Sequence, residues 1–396
     1  MTSSPLPSGF QFAGVACGIK PSGKPDLSLI VGDRPLVSAG VYTQNQIVAA
    51  PVQWCRARTP SDSIRAVVTN SGNANACTGD QGERDAAEMC RHVADHLSVQ
   101  ADNVLVMSTG VIGQPMPMQR VHAGIDNAAG KLGSGIDDFH AAADAILTTD
   151  HARKADCRQI QINGNPVHLA AMAKGAGMIA PNMATMLGVV MTDAVLSPEQ
   201  AQRILRVAAE ESFNRVSVDG HTSTNDTLLL LASGASEVCI DEQNEAAFVS
   251  ELTKLCVKLA RQLVADGEGS THVIKIQVSG AENDRDADVI ARTIGASPLV
   301  KTAITGGDPN WGRIVSAAGY ADAKIDPKQT SLKLAGTEIY RSGMPLSFDA
   351  RELSQTMKSS DDVELDLVVG SGPGTAIHWA SDLTTDYVRF NSEYTT

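Results

Sequence analysis

Apolar side chains at Phe248, Leu252, Leu255, Leu259 and Leu263 recur at spacings of three and four, which predicts a long amphipathic helix that stops at Asp266-Gly267. Ala86, Met89, Val93 and Leu97 repeat the pattern in a second helix. A third opens at Ser197-Pro-Glu-Gln200, a capping box with proline at the first helical position, and runs to about Ser212. Elsewhere the period is two. Ile274, Ile276 and Val278 alternate with Lys275 and Gln277, the signature of a half-buried strand. Arg65-Ala-Val-Val-Thr69 and Val104-Leu-Val-Met107 are strand-like and lead into small-residue loops, SGNANACTG and STGVIG. Met186 to Met191 forms an uninterrupted apolar run, as in a strand buried on both faces, and DYVRFN (386 to 391) is strand-like. Strands and helices interleave throughout, so the fold class is α/β or α+β. After about residue 280 the composition shifts toward Asp and Lys, in AENDRDAD and DAKIDPKQ, which suggests a large domain over 1–278 and a smaller one over 279–396.

Composition narrows the partners. The chain has 396 residues, 43% of them hydrophobic and 19% charged, which is the balance of a globular protein with more than one core. Its net charge of -13 argues against nucleic acid or an anionic membrane surface, since both require clustered Lys and Arg. Seven cysteines without a CxxC pair read as reduced thiols, and no apolar stretch approaches membrane-spanning length. The N-terminus lacks a basic region followed by an apolar run, so a cytoplasmic location is expected. His92 and His96 stand four apart on the second helix, but no third ligand or HExxH pattern accompanies them. They read as solvated histidines, and no metal is expected.

Candidate chemistry centres on Lys174 to Met191, KGAGMIAPNMATMLGVVM. Its Gly175-Ala-Gly177-Met-Ile-Ala180 matches the glycine spacing of a dinucleotide-binding turn, with Asp193 near the expected acidic position. Such a turn must open a helix, and Pro181 would fall within its first turns while Gly188 would weaken its continuation. The segment therefore reads as a loop before a strand. Read from the residues alone, Thr185 is a β-branched residue at a strand start. Its place after small Ala184 also allows another chemistry. The hydroxyl could attack the preceding carbonyl, convert the amide to an ester and, after hydrolysis, leave a new N-terminal threonine whose α-amine, with a pKa of about 8, serves as its own base.

The motif from Lys174 to Leu187 resembles the KGxGMxxPxMATML motif of the ornithine acetyltransferase family of arginine biosynthesis, whose members cleave themselves at the Ala-Thr bond. The resemblance extends over nearly the whole chain. It includes NSGNANACTG (70 to 79), STGVIG (108 to 113), AILTTD (145 to 150), VDGHTSTNDT (218 to 227), DGEG (266 to 269), SPLVKTAITGGDPNWGR (297 to 313) and the terminal NSEYTT. His221 departs from the family, which more often has Asp there.

The resemblance implies cleavage between Ala184 and Thr185, giving chains 1–184 and 185–396, with Thr185 as nucleophile and Thr109 and Gly110 as the oxyanion hole. It implies substrate contacts at Thr148, Lys174, Thr185, Glu268, Asn391 and Thr396, with Thr149 the alternative to Thr148. Lys174 suits an α-carboxylate, Glu268 the terminal ammonium of ornithine, and Asn391 and Thr396 neutral hydrogen bonds. For Asn391 and Thr396 to serve, the C-terminal tail must fold back over the site. The implied fold is the α/β ornithine acetyltransferase/DmpA-like fold, a layered large domain carrying the cleavage site plus a smaller C-terminal domain, commonly paired as an α2β2 heterotetramer. The implied activity transfers acetyl from N2-acetylornithine to glutamate by a ping-pong route without cofactor, with acetyl-CoA as a further donor in bifunctional members. Two rivals remain at this point: an N-terminal-nucleophile amidohydrolase acting on N-acyl amino acids, and a non-enzymatic metabolite-binding module built on the GAGMIA loop.

Overall fold

The continuous and alternating apolar runs assemble into two sheets in the computed structural model, which describes residues 6–180 and 186–393. The first sheet has the order β4 (Val104–Val111), β3 (Ser61–Asn73), β2 (Leu27–Tyr42), β9 (Thr227–Ala232), β7 (Leu187–Thr192), β6 (Asn165–Lys174), β5 (Lys154–Ile162), with β1 (Phe10–Val15) paired to β2. The second has the order β13 (Met344–Pro345), β12 (Thr337–Arg341), β11 (Ser331–Leu334), β14 (Asp362–Val368), β10 (Val273–Ala281), β15 (Gly374–Ser381), β8 (Val216–Ser217). Helices α1 (Ala50–Arg56), α2 (Gly79–Leu97), α3 (Met118–Ala129), α4 (Ile136–Ala145), α5 (Pro198–Glu210) and α6 (Glu245–Ala265) precede β10. Helices α7 (Asp284–Ala296), α8 (Pro298–Gly306), α9 (Trp311–Gly319), α10 (Ala350–Lys358) and α11 (Thr385–Glu393) follow it. The class is mixed α/β, as the interleaved patterns indicated.

Strands β7 and β9 are buried along their whole length, and the reason is a cover on each face. On one side Val190, Leu228 and Leu230 meet Ile204 and Leu205 of α5 and Phe248, Leu252 and Leu255 of α6. On the other, Val189, Met191, Leu229 and Leu231 meet Phe12 and Phe139. A strand with two apolar faces has no polar face to alternate with, which explains the unbroken run from Met186. Helix α6 also touches the second sheet, because Val273 and Trp379 join the cluster of Leu259 and Leu263. Its apolar face is thus shared between the two sheets.

In the second sheet β10 lies parallel to β14 and antiparallel to β15, and its Ile274, Ile276 and Val278 are buried with Ala287, Ile290 and Ile294 of α7. The sequence division at 278/279 falls inside β10, and β8 adds a short parallel rung to β15 from an earlier part of the chain. Helix α5 begins as its capping signal foretold, with Ser197 Oγ accepting the Gln200 N–H at 3.2 Å. Among the described residues, no helix is long and apolar enough to cross a membrane.

The strand expected over DYVRFN is instead the helix α11. Thr384 Oγ1 accepts the Tyr387 N–H at 3.2 Å and Asp386 occupies the first turn, both favourable at a helix start. The helix buries no residue, so no apolar stripe announced it in the sequence.

One buried group makes a pH prediction. His378, in the interior of β15, has neither ring nitrogen bonded among the described residues, and burial, reinforced by Arg292, Lys301 and Arg215, holds its pKa near 3 against an ordinary 6.5. The unfolded chain takes up this proton near pH 6.5 and the folded chain only near 3, so the histidine costs stability progressively as pH falls across that window. His378→Leu should flatten the decline of the thermal midpoint over that range; an unchanged slope would contradict this assignment.

Candidate active site

One rung of the first sheet organises the site. Lys174, the last residue of β6, pairs with Leu187, the first of β7, which pairs with Thr227 of β9, itself opposite Tyr42 of β2. Beyond Lys174 the chain turns into a loop. Its Gly175 N–H donates to Asp150 Oδ1 at 2.6 Å, and the Met178 and Ile179 N–H groups donate to the two oxygens of Asp219 at 2.7 and 2.9 Å. Met178 has a left-handed φ of 57°, and no helix forms before Ala180, so the glycines serve a loop, not a dinucleotide-binding helix. At Gly177 a Cβ would lie 2.5 Å from the Glu268 carboxyl carbon. A side chain at 177 would push the Glu268 carboxylate out of its present position.

The STG segment sits at the end of β4 against a register break in β3 at Gly72-Asn73. Gly110 has φ +133°, and a Cβ there would come within 2.2 Å of the Gly72 carbonyl carbon, so two glycines make the close crossing. Asparagines tie this corner together. Asn225 Nδ2 donates to the carbonyls of Ala74 at 2.6 Å and Ser108 at 2.9 Å, while Ser108 Oγ donates to Asn70 Oδ1 at 2.6 Å. The motifs NSGNANA, STG and TSTND therefore form one hydrogen-bonded unit.

These elements enclose a pocket of about 100 Å³ whose lining includes Thr109, Gly110, Thr148, Thr149, Lys174, Gly177, Asn225, Glu268 and Asn391. Six of the residues expected from the sequence, Thr109, Gly110, Thr148, Lys174, Glu268 and Asn391, are thus brought together, and both adjacent threonines reach the space. Lys174 is buried and its Nζ donates to Thr109 Oγ1 at 3.3 Å. Asn391 Nδ2 donates to Glu268 Oε2 at 3.0 Å, so α11 does fold back over the site. Ala184, Thr185 and Thr396 lie outside the described residues. His221 is exposed, and among the described residues it meets the site through its N–H to Asp219 Oδ1 at 3.1 Å. A larger cleft of about 670 Å³ elsewhere is lined by Arg158, Lys254, Lys258 and Arg261. It holds none of the expected site residues, and each of its four cations is paired, with Asp156 or Glu251, Glu251, Asp156 and Asp362 respectively.

Carboxylates that the sequence reading did not single out control the charge here. Asp150 accepts from Lys154 Nζ at 2.6 Å and from the Thr148 N–H at 2.9 Å, in addition to Gly175. Burial pushes its pKa up, but Lys174 and Lys154 outweigh that and hold it below the usual carboxylate range. Lys154 also pairs with Asp266, whose Oδ2 accepts the His151 N–H at 3.0 Å. Lys174 has its pKa lowered by burial, with Asp150 opposing the shift. Asp226 is buried, its Oδ1 accepts the Met186 N–H at 3.2 Å, and burial raises its pKa well above the ordinary value. Its Oδ2 has no partner among the described residues. The only local signal for these groups was an acidic residue inside an otherwise small or apolar motif, as in TSTND and AILTTD.

The sequence model of the ArgJ family matches residues 11–396. The chain belongs to the ArgJ family. It is 59% identical to the arginine biosynthesis bifunctional protein ArgJ of Rhodopirellula baltica, an alignment covering 100% of this chain and 97% of that protein. With the protein of the same name from Nitratidesulfovibrio vulgaris it shares 45% identity over 99% of each chain. Among solved structures, the crystal structure of the arginine biosynthesis bifunctional protein ArgJ from Bacillus halodurans is 38% identical with a TM-score of 0.51, covering 52% of this chain and 98% of that one.

Asp150→Asn should destabilise the fold by about 3–5 kcal/mol, because it leaves Lys154 and Lys174 buried with one counter-charge fewer. Urea denaturation of the variant measures this directly. An unchanged midpoint would show that Asp150 is dispensable to the network.

Proposed function

We propose that the chain transfers acetyl from N2-acetylornithine to glutamate in arginine biosynthesis, through an acetyl ester on Thr185. The observation that carries this reading is Glu268. Its carboxylate is buried in the same pocket as Thr109 and Lys174, and among the described residues its side chain has a neutral amide partner, Asn391, and no cation within ion-pairing distance. A buried carboxylate without its cation suits a ligand that brings one, and ornithine ends in an ammonium.

The chemistry begins with the chain itself. Thr185 Oγ attacks the Ala184 carbonyl, the amide becomes an ester, and water cleaves the ester to give fragments of 184 and 396 − 184 = 212 residues. The matched part of the Bacillus halodurans crystal chain supports this division, since 98% of that chain corresponds to 52% of this one, close to 212 of 396 residues. The freed α-amine then takes the hydroxyl proton as Oγ attacks the acetyl carbon of acetylornithine. The C–N bond breaks and ornithine departs with that proton. Glutamate's amine attacks the acetyl ester, its proton returns by way of the α-amine to Oγ, and N-acetylglutamate leaves.

Both halves pass through an oxyanion. Lys174 donates to Thr109 Oγ1, which leaves the Thr109 hydroxyl hydrogen free to point at that oxyanion beside the Gly110 backbone, where a donor is worth about 10²–10³ in turnover. Lys174 also supplies the positive field for an α-carboxylate. No step requires a metal or organic cofactor. In keeping with the bifunctional relatives, acetyl-CoA serves as a second donor for the same ester. Two cleaved copies assemble as an α2β2 heterotetramer, and a cytoplasmic location fits these substrates.

The test combines N-terminal sequencing with initial rates. Purified protein should give two sequences, the native start and Thr-Met-Leu-Gly, and Thr185→Ala should remain a single inactive chain. Ornithine release should depend on glutamate with the parallel double-reciprocal lines of a ping-pong route. Release at the same rate without glutamate would assign the protein to the amidohydrolases, and an intact, fully active chain would exclude Thr185 as a cleavage-generated nucleophile.

A further inference from the structure

Away from the pocket, α2 and α3 bring together donors that are 30 or more residues apart in the chain. His92 and His96, one turn apart on α2, both direct Nε2 at a single oxygen, Asp126 Oδ1 on α3, at 2.8 and 2.7 Å. These three atoms lie within 4.8 Å of one another. The sequence argument against a metal was the lack of a third ligand, and Asp126 is one. Only the packing of the two helices places it between the histidines.

We propose that His92, His96 and Asp126 form a binding site for one divalent transition-metal ion of the zinc type, clasping α2 to α3. The donor set is the first argument. Two imidazoles and one carboxylate suit Zn²⁺, Co²⁺ or Ni²⁺, whereas Mg²⁺ and Ca²⁺ prefer oxygen alone and Cu(I) prefers sulfur. Geometry is the second. Ligand bonds of about 2.0–2.1 Å in a tetrahedron set donor atoms about 3.3 Å apart. The existing separations from Asp126 Oδ1 need widen by only about half an ångström, a change within reach of side-chain rotation. To bind the ion, each imidazole must offer the Nε2 lone pair as the neutral Nδ1–H tautomer, so a hydrogen that Nε2 directs at the carboxylate moves to Nδ1 by way of solvent, or leaves to solvent from a ring that already carries one on Nδ1.

Access and support complete the case. The side chains of His92, His96 and Asp126 are 26%, 37% and 55% exposed, so an ion and its completing water can enter from solvent. The opposite face of His92 is fixed by His122, whose ring stacks on it at 4.4 Å with the planes 15° apart. His122 Nε2 in turn faces Glu88 at 3.4 Å, and Glu88 is paired with Arg91, so that carboxylate is engaged outside the triad. The clasp would act on the part of the fold that carries the STG corner. Met89 and Val93 of α2 and Val121 and Ile125 of α3 pack in one cluster with Val68 of β3 and Val106 of β4, and Asn75 Nδ2 holds the first turn of α2 through the Gly82 carbonyl at 2.8 Å.

The experiment is titration of the full-length, metal-stripped protein with Zn²⁺ by calorimetry, followed by Co²⁺ absorption spectroscopy. One equivalent should bind, raise the thermal midpoint, and give a Co²⁺ spectrum with ligand-field bands but no thiolate charge transfer. Asp126→Ala and His96→Ala should each weaken binding by about 100-fold or more while the stripped variants melt as the stripped parent does; His92→Gln provides a further ligand removal of similar size. Absence of saturable binding, retention of affinity in all three variants, or thiolate charge transfer showing that the ion sits on the free cysteines would each overturn the proposal.

Discussion

A lysine ammonium held at the buried end of a β-strand cannot stand alone, and the surroundings of Lys174 follow from that constraint. Its counter-charge is Asp150, which lies deep enough that it also requires Lys154, which in turn requires Asp266. Each carboxylate spends its remaining lone pairs on backbone N–H groups, Thr148 and Gly175 for Asp150 and His151 and Ala152 for Asp266. The alternating charges therefore fix two loops as well as one another. Removing the sequence of partners at any point leaves a desolvated charge, which costs far more than a surface pair is worth. In the acetyl-transfer reading the same arrangement keeps a positive charge beside Thr109 where an oxyanion develops, so the fold's electrostatic problem and the reaction's share one solution.

The cleavage proposed between residues 184 and 185 has a structural counterpart in strand order. Strands β1 to β6 precede residue 184, and β7 and β9 follow it, yet β9 and β7 lie between β2 and β6 in the first sheet. A chain cut at 184/185 would leave its second fragment hydrogen-bonded on both sides to the first, through β2–β9 and β6–β7. The apolar faces of β7 and β9 are covered on both sides as well. Such fragments cannot part without unfolding the core. The proposed cleavage, in the connection between antiparallel β6 and β7, would therefore leave the core intact.

Much of the scaffold was legible because burial leaves a period in the sequence. Helix α6 shows one apolar face and β10 alternates, and each feature maps onto a cluster that excludes water. Helix α11 leaves no apolar stripe because none of its residues is fully buried; Tyr, Val and Phe in a short run look like a strand, whereas the Thr384 cap, the packing of half-buried Tyr387 on the α6 cluster and the docking of Asn391 on Glu268 specify a helix. The pocket residues were recognisable as a set through the resemblance to acetyltransferases, since Lys174 and Glu268 taken singly are an ordinary loop lysine and turn carboxylate. Asp150, Asp226 and Asp266 lie in the same matched motifs, but nothing in those motifs marks what each does. Their roles depend on partners that local pattern does not encode, as Asp266 and Lys154 stand 112 residues apart. The same holds for Asp126, whose meaning appears only when α3 is laid across His92 and His96.

The central claim is that the acyl carrier is the threonine at the head of the second fragment. Its most direct measurement is intact-mass and peptide-level mass spectrometry of the enzyme quenched in acid after brief exposure to N2-acetylornithine without glutamate. The account predicts one added acetyl group, confined to fragment 185–396 and mapped to the Thr185 side chain, which disappears when glutamate is added before the quench. An acetyl group on a lysine or on the other fragment, or acetyl transfer at full rate with no adduct formed under these conditions, would contradict it.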